Sequence, residues 1–188
     1  MTYLVGQLCG LLATVACIIV PLFKHKWQML VNIIVVNLLM MFNFILIGEI
    51  GSAACLCAVA TVQSVFSLLH SLRNTAVGRA EKLVFPILYL VFGVLGMVHA
   101  PGFVWEVNPH NLVELLPICG SLASMSFVFV QDERKARRLL LLTNGIWAAY
   151  SAIVGATTFF AQAFSMVSTL IAMYKYRKTS VPGETAQS

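Results

Sequence analysis

The sequence predicts an all-α membrane protein of seven transmembrane helices, on the basis of its composition, its apolar runs and the placement of its basic residues. Of its 188 residues, 60% are hydrophobic and 10% are charged, whereas a soluble domain is about 25% charged. A water-soluble fold of this length could not bury so much apolar surface. A bilayer core about 30 Å thick is spanned by roughly 20 apolar residues in a helix, and the charges divide this chain into runs of about that length.

Seven apolar runs give the predicted helices, and the fourth and sixth runs are short. The runs cover residues 3–23, 27–47, 52–72, 83–98, 112–130, 139–155 and 156–173. The last two runs meet at Gly155, where a tight turn is required, and Gly48 and Gly51 meet the same need between the second and third. No charged segment precedes the first run, so we expect a membrane helix there and not a cleaved signal peptide.

The lysine and arginine residues lie in alternate loops. All twelve fall into four groups: Lys24 and Lys26; Arg73, Arg79 and Lys82; Arg134, Lys135, Arg137 and Arg138; Lys175, Arg177 and Lys178. Because basic residues collect on the cytoplasmic side, this alternation predicts that every run crosses the membrane, with the N-terminus outside and the C-terminus in the cytoplasm. Residues 179–188 are polar and contain Pro and Gly, so we expect a disordered cytoplasmic tail.

Several classes of protein are disfavoured by the composition. The net charge of +5 does not indicate a nucleic-acid partner, because the basic residues lie at the ends of apolar runs and not along a polar face. The five cysteines are odd in number and lie inside apolar runs, so no disulfide framework is predicted. The sequence has no catalytic nucleophile pair and no metal-binding helix motif. We therefore expect no enzyme, no cofactor and no metal.

The chain contains an internal repeat. Segment 9–14, Cys-Gly-Leu-Leu-Ala-Thr, resembles segment 119–124, Cys-Gly-Ser-Leu-Ala-Ser, 110 positions later. Asn37 recurs as Asn144, 107 positions later, and a glycine follows each asparagine after eleven positions. Helices one to three thus match helices five to seven, with the fourth as a linker, and the two halves have the same orientation in the membrane.

The repeat divides the chain into a first three-helix bundle (1–72), a linker helix with its loops (73–111), a second bundle (112–178) and the tail (179–188). Two parallel bundles that face each other across a pseudo-two-fold axis along the membrane normal would enclose a central cavity. That cavity is the expected place for function.

This 3+1+3 plan resembles the SWEET and PQ-loop transporters. The run 113–117, Val-Glu-Leu-Leu-Pro, followed by the basic loop and Trp147, resembles the YgjV-type bacterial inner-membrane proteins. The resemblance covers about residues 3–178 and implies a bacterial inner-membrane transporter with a midplane site. The chain has no Pro-Gln pair and no proline in helices two and six, but Pro21 and Pro117 lie in the first helix of each half and are candidate gating residues.

Polar side chains at hydrocarbon depth are the candidates for a solute site, because they are costly unless they face a cavity or another helix. Asn37 and Asn144 are mid-helix, and an amide both donates and accepts, which suits a neutral hydroxylated or amide-bearing solute. Trp147 and Tyr150 share a helix face with Asn144 and could stack against a ring. The alternative is that the asparagines bond to neighbouring helices and that the two aromatic residues form a packing stripe.

Three glutamines and one glutamate are further candidates. Gln7, Gln63 and Gln162, in helices one, three and seven, could join helices or bind a solute. Glu114 lies at the predicted outer end of helix five, where a carboxylate together with Pro117 is typical of a capped and slightly bent helix start. The alternative for Glu114 is an acidic residue at a cavity mouth or a proton-coupling site.

The sequence therefore favours a permease for a small neutral polar solute. A sugar is the first expectation and a vitamin or its nucleoside is the second, and the lack of a midplane acidic residue favours uniport over coupled transport. The alternative is a non-transporting membrane protein, such as a sensor or an assembly partner, which the departures from the proline pattern favour. The expected partners are the solute and membrane lipid, and a homo-oligomer is compatible with the sequence.

Overall fold

The computed structural model describes residues 1–19, 26–73, 75, 78–106, 108–129 and 133–175. Over these ranges the chain is α-helical, with seven helices joined by short connections. The helices are α1 (Thr2–Ile19), α2 (Lys26–Ile47), α3 (Ser52–Arg73), α4 (Arg79–His99), α5 (Pro109–Phe129), α6 (Glu133–Ile153) and α7 (Thr158–Lys175). The candidate gating residue Pro21 and the predicted tail 179–188 lie outside the described residues.

The predicted number of helices is confirmed, and α4 and α6 are longer than the short apolar runs that predicted them. Both α4 and α6 contain 21 residues, because each begins among the charged residues that precede its apolar run. At the start of α4, Glu81 Oε2 accepts a hydrogen bond from the backbone N–H of Gly78 at 3.1 Å. This contact satisfies a backbone donor that the helix itself leaves unpaired.

The surface of the helix bundle is apolar. Leu4 and Leu12 on α1 are 68% and 58% exposed, and Leu83 on α4 is 67% exposed. A contiguous exposed apolar surface of this kind suits lipid and not water. Among the described residues, three helices are long and apolar enough to cross a membrane, over Leu30–Ile47, Ser52–Arg73 and Arg79–His99. Two shorter helices are also apolar, over Thr2–Ile18 and Thr158–Ile171.

The helices pack in a closed ring. Contacts between consecutive helices join α1 to α2, α2 to α3, α5 to α6 and α6 to α7, while α4 packs against α3 and α5. The ring is closed by contacts of α1 with α7 and of α3 with α5. Its interior holds a buried group that we call the central core: Ala13, Val36, Met40, Phe44, Ala53, Ala54, Cys57, Tyr150, Ala156 and Ala161.

Glycines allow the sharp turns and close approaches at one end of the ring. Gly48 and Gly155 have φ angles of +94° and +70°, which favour glycine and confirm the predicted turns. Gly51 has a different role from the one predicted, because a Cβ at this position would lie 2.5 Å from Glu114 Oε2. Gly51 therefore makes room for a buried carboxylate and does not supply an unusual backbone angle.

Replacing Gly96 with alanine should destabilise the protein by about 1–3 kcal/mol. A Cβ on Gly96 would lie 2.8 Å from both the carbonyl oxygen of Gly51 and Cα of Ser52, so α4 would have to move away from the start of α3. The thermal unfolding midpoint of purified protein in detergent measures the effect. Gly145→Ala is the matched control, because its nearest neighbour would be Met166 Cε at 4.0 Å; equal midpoints for the two variants would show that this packing is not tight.

Candidate functional site

Asn37 and Asn144 each approach a serine on the following helix. Asn144 Nδ2 on α6 donates a hydrogen bond to Ser165 Oγ on α7 at 2.8 Å. Asn37 Nδ2 on α2 lies 3.5 Å from Ser64 Oγ on α3. The contact with a neighbouring helix, which was the alternative for these residues, is thus present for both asparagines. In each asparagine, Oδ1 has no hydrogen-bond partner among the described residues, so an acceptor remains on each amide.

Other polar groups without partners lie along α6 and α7. Gln162 lies three residues before Ser165 on α7, is 9% exposed and makes no hydrogen bond within the described part of the chain. Thr143 Oγ1, next to Asn144 on α6, is also buried without a partner. A buried polar group without a bond costs about 1–3 kcal/mol. Unpaired groups of this kind are typical of sites that a ligand or water completes.

Trp147 and Tyr150, which were predicted to share a face of α6, have different surroundings in the structure. Tyr150 is fully buried in the central core, with its ring centroid 5.6 Å from that of Phe44. The ring of Trp147 lies 6.3 Å from each of these rings, but its side chain is only partly buried. Trp147 Nε1 faces Gly120, where a Cβ would lie 2.9 Å away. Tyr150 therefore packs the core, while Trp147 remains at its edge.

Gln63 joins two helices. Its Oε1 accepts a hydrogen bond from the hydroxyl of Tyr89 at 2.6 Å, which connects α3 to α4. Tyr89 is itself buried in a second apolar group between α3, α4 and α5. The interhelical alternative for Gln63 is thus present in the structure.

The carboxylate of Glu114 is buried at the start of α3. Glu114 is 1% exposed, and its Oε2 accepts a hydrogen bond from the backbone N–H of Ser52 at 2.7 Å. Ser52 Oγ lies 2.7 Å from the same oxygen, and the Tyr150 hydroxyl donates to Glu114 Oε1 at 3.3 Å. The positive pole of α3 and its free N–H group stabilise a negative charge there. The prediction that Glu114 caps its own helix was wrong, because α5 begins at Pro109 and Glu114 lies in its second turn.

Two more titratable groups lie beside Glu114. Burial raises the pKa of the Glu49 carboxyl in the α2–α3 loop, the negative charge of Glu114 raises it further, and His110 opposes this shift. His110 precedes Glu114 by four residues on α5, and its Nε2 is buried without a partner. Among the described residues, no group of three His, Cys, Asp or Glu side chains has the arrangement of a metal site.

Gln7 makes a contact that the sequence did not predict. Its Oε1 accepts a hydrogen bond from the backbone N–H of Thr157, and its Nε2 donates to the carbonyl of Gly155, both at 2.9 Å. Thr157 Oγ1 donates to the carbonyl oxygen of Gln7, also at 2.9 Å. Gln7 precedes Glu114 by 107 positions, which is also the spacing of Asn37 and Asn144. The spacing of 107 could have indicated that Gln7 and Glu114 are related by the repeat. The similarity of 9–14 to 119–124 instead aligns the first and fifth helices at a spacing of 110.

Replacing Glu114 with alanine should lower the free energy of unfolding by about 1–3 kcal/mol, because the buried N–H of Ser52 loses its acceptor. Denaturant unfolding of the purified protein measures the change. Glu106→Ala is the control, because Glu106 is an exposed glutamate in the loop before α5. If both variants were as stable as the parent, the carboxylate would have no structural role at the start of α3.

A model of a protein family described as Imp-YgjV, bacterial inner membrane protein, matches residues 4–180. This range includes nearly all of α1 and the whole of the other six helices. No curated protein and no solved structure matches the chain.

Proposed function

The chain belongs to the Imp-YgjV family of bacterial inner membrane proteins, and we propose that it is a permease for a small neutral polar solute. The observation that carries the proposal is that the two asparagines related by the repeat each approach a serine on the following helix. Both amides lie at mid-helix, and no hydrogen bond to either Oδ1 is found among the described residues. Two such acceptors related by a repeat suit a solute that lies between the halves.

The packing of the helices supports the proposed division into two three-helix bundles with α4 as a linker, as in the SWEET and PQ-loop transporters. α1 to α3 pack in sequence, and so do α5 to α7. A two-fold axis along the membrane normal would exchange the α1–α7 contact with the α3–α5 contact, and both are present. On this proposal the bundles are 1–72 and 112–178, the linker region is 73–111, and the N-terminus lies outside the cell.

The proposed solute site consists of Asn37, Asn144, Gln162 and Trp147. The three amides supply donors and acceptors, and the partly exposed indole of Trp147 supplies a flat apolar face. This chemistry suits a sugar first and a vitamin or its nucleoside second. Tyr150 and Gln63 already have hydrogen-bond partners, so on this proposal they position the helices around the site.

Transport by uniport, without catalysis, is the simplest form of this proposal. Glu114 is the carboxylate to consider for coupling because it is buried, and its oxygens are engaged with Ser52 and Tyr150. A carboxylate that already stabilises a helix start is a poor carrier of a transported ion. The proposal therefore needs no cofactor and no coupling ion.

A non-transporting role, as a sensor or an assembly partner, is the second candidate. The full burial of Phe44 and Tyr150 between α2 and α6 favours it, because these rings fill the space between the two halves at their level. A solute path would require this aromatic contact to open.

Solutes that bind this site should stabilise the folded protein, and the effect should disappear in the double variant Asn37→Ala, Asn144→Ala. A ligand at 100 times its Kd stabilises the state that binds it by about 2.7 kcal/mol. Thermal shift of the purified protein against sugars, nucleosides and vitamins measures the binding, and uptake of each hit into proteoliposomes measures transport.

Asn32→Ala is the matched control for the double variant. Asn32 Nδ2 donates to the carbonyl of Ala16 at 2.8 Å, so its replacement also removes an interhelical asparagine contact but lies outside the proposed site. A hit that Asn32→Ala retains and the double variant loses would support the permease. A hit that binds without uptake, or no hit at all, would favour the non-transporting candidate.

A further inference from the structure

Two polar clamps cross between the halves of the chain at the same end of the helix ring. In the first clamp, Gln7 on α1 binds the loop between α6 and α7 through Gly155 and Thr157. In the second, Glu114 on α5 binds the start of α3 through Ser52. Each clamp joins the first helix of one half to the start of the third helix of the other half.

The two clamps occupy equivalent positions in the repeat. Gln7 and Glu114 are 107 positions apart, and in both clamps a side-chain oxygen accepts the backbone N–H of a residue at the start of a helix, at 2.9 and 2.7 Å. The chemistry differs, because one acceptor is a neutral amide and the other is a carboxylate. Different side chains therefore make the same kind of contact in the two halves.

Each clamp includes a glycine that permits the close approach. A Cβ on Gly10 would overlap Thr157 Oγ1, next to the Gln7 clamp, and a Cβ on Gly51 would lie 2.5 Å from Glu114 Oε2. The helices and loops are therefore in direct contact around both clamps. No room is left there for a solute to pass.

The central core lies directly beside the clamps. The hydroxyl of Tyr150, a core residue, donates to Glu114 itself. Ala156, in the loop that Gln7 binds, and Ala53, next to Ser52, also belong to the core. The α2–α3 and α6–α7 loops cover the core. If both clamps were released, these loops would no longer be held by the opposite half.

We propose that the Gln7 and Glu114 clamps are the gate at the predicted outer end, and that the chain is closed there while both are formed. This inference rests on the proposed permease function, in which the two halves open alternately toward each side of the membrane. Opening at this end separates α1 from the α6–α7 loop and α5 from the α2–α3 loop. The cross-half hydrogen bonds of the gate are then exchanged for bonds to water.

Cys57 is a native reporter for this opening. It belongs to the central core and is 4% exposed, so its thiol reacts only when the core becomes accessible. The measurement is the rate of alkylation of Cys57 by a small polar maleimide, in purified protein in detergent, after replacement of the other four cysteines by alanine. These four are Cys9, Cys17, Cys55 and Cys119.

Gln7→Ala should raise the rate of Cys57 alkylation about tenfold, which corresponds to the net contribution of one or two hydrogen bonds to the closed state. Glu114→Ala should raise it at least as much, while Glu114→Gln, which keeps an acceptor for the N–H of Ser52, should stay near the parent rate. Gln7 is only partly buried, so Gln7→Ala tests the gate even if Glu114→Ala does not fold.

Asn32→Ala separates gating from a general loosening of the fold, because Asn32 joins α1 to α2 within one half. An unchanged rate in Gln7→Ala, or an equal increase in Asn32→Ala, would overturn the gate. The alkylation rate is measured without any solute. A failed gate therefore leaves the thermal shift and uptake results intact, and a failed permease does not alter the alkylation result.

Discussion

The burial of the Glu114 carboxylate at the start of α3 is the contact on which one end of the structure depends. A carboxylate in an apolar surrounding is costly unless hydrogen bonds and a favourable field compensate it. The N–H and hydroxyl groups of Ser52, the hydroxyl of Tyr150 and the positive pole of α3 supply both. The carboxylate fits beside Gly51 because a Cβ there would clash with it. In the same way, α4 can approach the backbone of Gly51 and Ser52 because Gly96 has no side chain. Glu114 thus joins α5 to α3 and α6, and α4 packs against the same start of α3.

The starts of α3 and α7 meet the same requirement with different chemistry. At both starts, the free N–H groups need an acceptor, because neither lipid nor the helix itself provides one. The amide of Gln7 serves before α7, and the carboxylate of Glu114 serves at α3. Because the two acceptors belong to different residue types, the similarity of the two contacts is hard to see in the sequence.

Polar contacts at the other end of the described structure join helices that are consecutive in the chain. His70 Nε2 lies 2.7 Å from Glu81 Oε1, and its Nδ1 lies 2.6 Å from Thr75 Oγ1, which ties the end of α3 to the beginning of α4. Asn32 joins α2 to α1. The contacts of Gln7 and Glu114 differ from these because they connect distant parts of the chain.

The sequence by itself determined that this is a membrane protein of seven helices, because composition and hydrophobic length act locally and need no knowledge of the packing. It also determined the turns at Gly48 and Gly155 and the repeated asparagines, which depend on residue type and spacing alone. Only the tertiary structure decided which polar groups are bound to one another. Hydropathy could not place Glu114 at the start of α3, Gln7 on the α6–α7 loop or Tyr150 in the central core, because each of these positions depends on a partner far away in the chain, and the partner is fixed by how the helices pack.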